Sequence, residues 1–165
     1  MLIAIISDIH DNLANLKKVL HYINDHRVDV LFFLGDLTNR DTLRFVGDNF
    51  HCPIYWVKGN CDLYEDDELK AYPQITCLGR TGGRVELDGQ NFALMHEPEL
   101  LKNFGGQNIK LAFYGHTHKP WQEIKNGVNF INPGNVSNTR FAPTFATYDT
   151  TTKNLSLVAL DEFKI

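Results

Sequence analysis

The stretch MLIAIISDIHDN, residues 1–12, decides the fold. Leu2–Ser7 is an almost unbroken apolar run, the composition of a central parallel strand covered on both faces. Asp8 and His10 follow it. Asn12 can then cap a helix, because its side-chain oxygen accepts from the first free N–H groups. Behind that cap Leu13, Leu16, Val19, Leu20 and Ile23 recur at helical spacing. Working outward, Val28–Leu34 reads as a second apolar strand, Asp41–Phe50 as a helix and Pro53–Val57 as a third strand. The order β-α-β-α-β calls for a parallel α/β layer.

The second half changes character. Arg84–Leu87 and Asn91–His96 flank Asp88-Gly89, a hairpin signal, and Gln122–Lys125 and Val128–Ile131 flank a second one, Asn126-Gly127. Leu111–Tyr114 is a further apolar strand. Phe145–Asp149 and Leu155–Leu160 read as a closing β pair around polar Thr150–Asn154. The front thus looks like alternating α/β and the back like a β meander. Two sheets packed face to face, with helices outside, reconcile the halves.

Bulk composition sets the bounds. The 165 residues suffice for one domain, 1–165, with a sizeable core; the chain shows no repeat, low-complexity tract or linker. A net charge of -4 gives no broad basic face, so no stable nucleic-acid complex is expected. No apolar run is long enough to span a bilayer, and the first residues lack the basic start of a signal peptide. The odd number of cysteines (Cys52, Cys61, Cys77) excludes a fully paired disulfide framework, and a reducing cytoplasm is the expected compartment.

Position is the informative feature of the polar residues. Asp8 and His10 follow the first strand, Asp36 the second through Gly35, and Asn60 the third through Gly59. His96 ends a strand of the first hairpin. His116 and His118 follow Leu111–Tyr114 through Gly115. Seven potential ligands therefore leave the carboxyl ends of five expected strands, the edge at which open α/β sheets bind ligands. Glycine before Asp36, Asn60 and His116 would let the backbone turn sharply there. Two carboxylates, one amide oxygen and four imidazoles make a mixed O/N set that suits Mn²⁺, Fe²⁺ or Zn²⁺. Seven ligands exceed what one tetrahedral ion takes and suit two ions if a carboxylate such as Asp36 bridges them. Two ions roughly 3.5–4 Å apart can clamp the attacking and leaving oxygens of an in-line displacement at phosphorus.

With those residues in hand, the chain resembles the calcineurin-like metallophosphoesterase superfamily, and within it the small YfcE-type phosphodiesterases. The matching motifs are Asp8-Ile9-His10, Gly35-Asp36, Gly59-Asn60-Cys61-Asp62, His96 and Gly115-His116-Thr117-His118, in order along the whole chain. Ile131-Asn132-Pro133-Gly134-Asn135 is similar to the family's Asn-Pro-Gly-Ser loop, with Asn135 in the serine position. The resemblance implies a four-layer αββα sandwich of two mixed β-sheets flanked by helices. It implies that Asp8, His10 and His118 hold one metal, that Asn60, His96 and His116 hold the other, and that Asp36 bridges them. A metal-bridging hydroxide would attack phosphorus, with Asp36, Asn60 and Cys61 acting in catalysis and Asn60 and Cys61 touching substrate. Mn²⁺ is the metal the resemblance favours, with Fe²⁺, Zn²⁺ or Ni²⁺ as alternatives.

Three departures from the family pattern matter. Where the larger superfamily has a histidine after Gly-Asn, this chain has Cys61. A neutral thiol, with an ordinary pKa near 8.5, is a weak substitute for an imidazole acid at pH 7. Diesters and activated leaving groups are therefore the expected substrates, and alkyl monoesters poor ones. His96-Glu97-Pro98 lacks the second histidine of His-Gly-His, and Pro98 suits the first turn of a helix through Leu100–Phe104. Asp11 replaces a common glycine and reads as a helix-start acid. Arg40 reads as an ordinary helix-start arginine, with a reach to phosphate as the alternative. His21, His26 and His51 read as surface residues, Cys52 and Cys77 as structural ones, and Tyr64–Glu68 as an acidic solvated loop or short helix.

The expected partner is a small phosphodiester or nucleotide-like substrate in an open cleft, because short loops leave little chain for a lid; homo-oligomerisation stays open. Two rivals stand beside this reading. One is a phosphomonoesterase or nucleotidase. The other is a non-enzymatic scaffold, as in a retromer subunit of this fold that lost its ligands. Seven intact ligand side chains argue against the scaffold, since unpaired buried polar groups are costly to keep.

Overall fold

The computed structural model describes residues 1–104 and 108–163. Its order is β1 (Leu2–Ile6), α1 (Leu13–Asp25), β2 (Val30–Phe33), α2 (Arg40–Asn49), β3 (Ile54–Trp56), α3 (Asp66–Leu69) and β4 (Ile75–Cys77). Then come β5 (Gly83–Leu87), β6 (Gln90–Leu94), a 3₁₀ helix Pro98–Phe104, β7 (Leu111–Phe113), β8 (Trp121–Lys125) and β9 (Val128–Asn132). The closing elements are β10 (Thr144–Asp149), β11 (Asn154–Ala159) and a 3₁₀ turn at Leu160–Glu162. One sheet runs β11-β10-β1-β2-β3-β4 and the other β5-β6-β7-β9-β8, so both are mixed. No helix among the described residues is long and apolar enough to cross a membrane.

Three apolar layers hold the stack together. Ile3, Ile5, Phe32, Phe92, Phe113 and Ile131 fill the space between the sheets. Ala4, Ile6, Leu31 and Phe33 turn the other way and meet Leu16, Val19 and Ile23 of α1 and Leu43 and Val46 of α2. The opposite pointing of neighbours in β1 is the period of two a strand imposes, and both sets are buried because helices and a second sheet cover the two faces. On the far side of the second sheet, Ala93, Met95 and Ala112 pack under Leu100, Leu101 and Phe104 of the Pro98 helix. The four layers match the expected αββα sandwich, with a 3₁₀ helix supplying the outer layer on that side.

Asn12 caps α1 as its sequence context requires: the Asn15 N–H donates to Asn12 Oδ1 at 3.1 Å, and Asn12 Nδ2 donates to the Ser137 carbonyl at 3.0 Å. Asn12→Ala is expected to cost about 1 kcal/mol, read as a melting point lower by about 2–4 °C for a chain of this size. An unchanged melting point would show that the cap contributes nothing.

The back of the chain is not a plain meander. β6, β7 and β9 are parallel neighbours, and β8 turns out to the edge. The closing pair joins the first sheet, where β10 lies antiparallel to β1 with Leu2 opposite Asp149. β4, unforeseen in the sequence, adds a three-residue parallel edge strand beside β3. Tyr64 is also corrected. It lies fully buried, its hydroxyl accepting from Trp56 Nε1 at 2.8 Å, while the acidic residues after it form α3. Cys77, read as structural, is exposed.

Candidate metal centre

The structure gathers all seven expected ligand residues at the carboxyl ends of β1, β2, β3, β6 and β7. Five of them, Asp8 (φ 54°), His10 (42°), Asp36 (57°), His116 (66°) and His118 (61°), adopt the left-handed backbone conformation. Asp and His tolerate it better than most residues, yet it costs of order 1–3 kcal/mol wherever it occurs and persists only where the surroundings impose it. Here the imposing contacts are visible. The Asp8 N–H donates to the Gly35 carbonyl at 3.0 Å, and the N–H groups of Ile9 and His10 donate to the Asp36 carbonyl at 2.9 and 3.0 Å. The loops after β1 and β2 are thus laced together. Gly35 turns through φ +99° as expected, but Gly59 and Gly115 serve close approach instead. A Cβ on Gly59 would lie 2.1 Å from Asp36 Oδ1, and one on Gly115 would lie 1.9 Å from Ser7 Oγ.

The donor atoms fall into two groups with a carboxylate between them. In the first, His118 Nε2 is 3.3 Å from Asp8 Oδ1 and 3.3 Å from His10 Nε2. In the second, Asn60 Oδ1 lies 3.0 Å from both His96 Nε2 and His116 Nδ1. Asp36 Oδ2 faces both groups, at 3.7 Å from His10 Nε2 and 3.3 Å from His96 Nε2.

Tautomers sharpen this picture. His96 Nδ1 must donate to the Leu34 carbonyl, 2.7 Å away, because a carbonyl only accepts. A neutral ring would then aim its Nε2 lone pair at two oxygen acceptors; against burial, the hydrogen bond and charge of Asp36 raise the His96 pKa, so that a proton on Nε2 stands where a cation would. His118 Nδ1 is held by Thr139 Oγ1 at 2.9 Å, which turns its Nε2 toward Asp8 and His10. Lone pairs converging on lone pairs repel unless a cation sits among them. Asp8 Oδ1 is buried and has no hydrogen-bond partner among the described residues. The chemistry of the donor set and this orphaned oxygen both fit a divalent metal.

The charges agree. Burial pushes the Asp8 carboxyl up to about 7, against the opposing pull of His96 and of the hydrogen bond from the His116 N–H. A proton held there near neutral pH is what a bound cation would displace. Burial also opposes ionisation of Asp36, but the hydrogen bond and charge of His96, with the Cys61 N–H at 2.8 Å from Oδ1, outweigh it and hold the group at about 2. Burial, His10 and Arg140 push His118 below the usual imidazole range. Cys61 lies partly exposed between the groups, its thiol raised by burial and by Asp36, Asp62 and Asp8, so it is neutral at pH 7.

Two residues that the resemblance placed in motifs without giving them a role complete the site. Asp62, 5% exposed, accepts four backbone N–H groups: those of Leu37 and Thr38 on Oδ1 at 2.8 and 3.0 Å, and those of Gly59 and Asp36 on Oδ2 at 2.7 and 3.2 Å. One carboxylate therefore ties the Asp36 loop to the Asn60 loop. Asn135 accepts from the Thr139 N–H at 3.1 Å, which fixes the hydroxyl that orients His118. Neither role was findable from spacing, since Asp62 holds the backbone of the Asp36 loop and Asn135 also donates to the His118 carbonyl at 3.1 Å. Asp11 supports the start of α2 rather than of α1: Asn39 caps α2, accepting from the N–H groups of Asp41 and Thr42, and Asp11 Oδ1 accepts from Thr42 Oγ1 at 2.7 Å and from the Asn39 N–H at 3.2 Å. Arg40 starts α2 and pairs with Glu68 at 3.0 Å, which leaves the reach to phosphate without support. Pro98 opens its 3₁₀ helix as expected, and His21, His26 and His51 are exposed.

Comparison with known proteins meets this geometry from outside. Residues 1–153 match the calcineurin-like phosphoesterase superfamily domain. Phosphodiesterase MJ0936 of Methanocaldococcus jannaschii is 28% identical over 170 residues, covering 98% of this chain and 100% of its own. Phosphodiesterase YfcE of Escherichia coli K12 is 29% identical over 147 residues, covering 79% of this chain and 77% of its own. A solved structure described as a novel archaeal phosphodiesterase superposes with a TM-score of 0.84 at 27% identity, covering 96% of this chain and 99% of that one. On its strand-end ligand set and on a match along nearly its whole length, the chain belongs to the calcineurin-like phosphoesterase superfamily.

Proposed function

We propose that this metallophosphoesterase hydrolyses phosphodiesters at a centre of two divalent ions. The observation that carries the reading is Asp36, whose Oδ2 stands between two groups of three donor atoms. In this reading Asp8, His10 and His118 would hold one ion, Asn60, His96 and His116 would hold the other, and Asp36 would be shared between them. The ions supply Lewis-acid stabilisation of charge at phosphorus and make water acidic enough to ionise near neutral pH. The chain's own part is positional. Leu34 and Thr139 fix the tautomers of His96 and His118, and Asp62 holds the two loops in register. The rigid edge leaves little reorganisation for the reaction itself. The relatives named as phosphodiesterases support the same substrate class.

Cys61 sets the preference between esters. Its neutral thiol stands beside Asn60, 3.3 Å from the amide nitrogen, where a protonated imidazole would assist an alkoxide leaving group. Cys61→His is therefore expected to raise hydrolysis of alkyl phosphomonoesters by at least about ten-fold, with little loss on bis-p-nitrophenyl phosphate. Unchanged monoester turnover would remove Cys61 as the cause of the preference. The reading as a whole is tested by Mn²⁺-dependent cleavage of bis-p-nitrophenyl phosphate, lost on chelation and restored by Mn²⁺. Cleavage indifferent to chelation would refute it. A scaffold without chemistry is disfavoured by the aimed lone pairs, which such a protein has no use for.

A further inference from the structure

A cleft lies at the opposite end of the sandwich. It has a volume of about 590 Å³ and opens between the sheets where β6, β7 and β9 begin, lined by Gln90, Lys110, Gln122, Asn129, Tyr148 and Lys153 among others. β6 and β7 carry His96, His116 and His118 beyond their far ends, roughly 15–20 Å away at the rise of a β-strand. The lining breaks the alternation of the sheets. Asn129 precedes Ile131 by two residues, Gln90 precedes Phe92 by two, and Gln122 stands opposite Ile131. All three amides thus occupy inward register positions where Phe92 and Ile131 build the core.

Gln90 is tied, accepting from the Tyr148 hydroxyl and donating to the Thr150 carbonyl, both at 2.8 Å. Gln122 Nε2 donates to Asn129 Oδ1 at 3.3 Å, a contact that leaves Asn129 Nδ2 turned away as a donor. Lys110 and Lys153 are exposed at the rim, and no carboxylate is among the described lining residues, although the chain as a whole carries a net charge of -4. Leu111 and Leu155 give the cleft an apolar patch, and a second cleft of about 380 Å³ shares Gln122 and Leu155 and continues between the edge strands β8 and β11.

We infer that this cleft is a second binding site, separate from the metal centre, for a small organic anion of nucleotide size. Its phosphate or carboxylate groups lie between Lys110 and Lys153, its polar edge meets the Gln122–Asn129 amide pair, and its apolar body rests on Leu111 and Leu155. The volume falls in the range of small-molecule pockets. Local cationic charge without a competing acid selects an anion over a sugar or a cation.

The test is a titration of the ¹⁵N-labelled full-length chain with adenosine 5′-monophosphate and, separately, with citrate, followed by nuclear magnetic resonance. The side-chain amide signals of Gln122 and Asn129 are expected to shift with saturation for at least one of the two, which distinguishes phosphate from carboxylate as the recognised group. A Lys110→Ala, Lys153→Ala double variant should bind at least about ten-fold more weakly, with diester hydrolysis unchanged. Three results overturn the inference: no shift with either probe at millimolar concentration, shifts confined to Asn60 and the metal-site histidines, or undiminished affinity in the double variant. None of them depends on the chain being a phosphodiesterase, so failure here and failure of the proposed activity read separately.

Discussion

Asp36→Ala is expected to lower kcat/KM for bis-p-nitrophenyl phosphate by about 10³-fold while the chain stays folded. The size of the effect follows from how many tasks the carboxylate combines. Its Oδ2 faces both groups of donor atoms, and its Oδ1 accepts the Cys61 N–H. The residue is 2% exposed, held among the donor atoms of both groups. With a pKa held at about 2 it remains ionised over the whole physiological range and supplies its negative charge without a proton to displace. Alanine removes the shared ligand, the charge and the anchor of the Cys61 backbone together. Asp36→Asn separates these roles, since it keeps the shape and loses the charge; it should lose nearly as much activity as alanine. Circular dichroism checks that both variants fold, and hydrolysis within about ten-fold of the parent in either would show that Asp36 does not bridge.

The second large effect is at Asp62, which touches no substrate. Asp62→Ala strands four backbone N–H groups in a buried turn. At about 1 kcal/mol net per bond the loss is near 4 kcal/mol, or a melting point lower by roughly 10 °C. Because Asp36 and Thr38 sit at φ 57° and 97°, a conformation that is especially unfavourable for β-branched Thr38, releasing their N–H groups also lets the Asp36 loop relax. Affinity for the metal should then fall by about 10–100-fold. Asp62→Asn is the informative companion. Its amide oxygen can still serve two of the four N–H groups, whereas its NH₂ faces the other two as donor against donor. Calorimetric titration with Mn²⁺ reads the affinity apart from the melting point. A variant that is destabilised but binds Mn²⁺ as tightly as the parent would confine Asp62 to a structural role.

Much of this was legible before the structure. Local patterns carried it: the apolar run of β1, the Asn12 cap, and the Asp88-Gly89 and Asn126-Gly127 hairpins, whose paired positive φ angles are those a two-residue turn demands. The ligand types were legible for the same reason, each lying within a few residues of a strand end. What could not be read is what depends on remote partners. β4 has three residues and no alternation of its own, and exists because β3 offers it an edge. β10 pairs with β1, nearly the full chain away. Tyr64 sits in an acidic stretch, and only the buried Trp56 indole explains why it is inside. Asp62 reads as one more acid in a motif until its four N–H donors are seen converging from two loops.

Metal stoichiometry tests the central claim most directly. The Mn²⁺-supplemented chain, freed of loose ions and measured by elemental analysis, should carry about two ions per chain, and the Asp36→Ala variant about one or fewer. One ion or fewer in the parent would contradict the binuclear centre, whatever the protein then proved to hydrolyse.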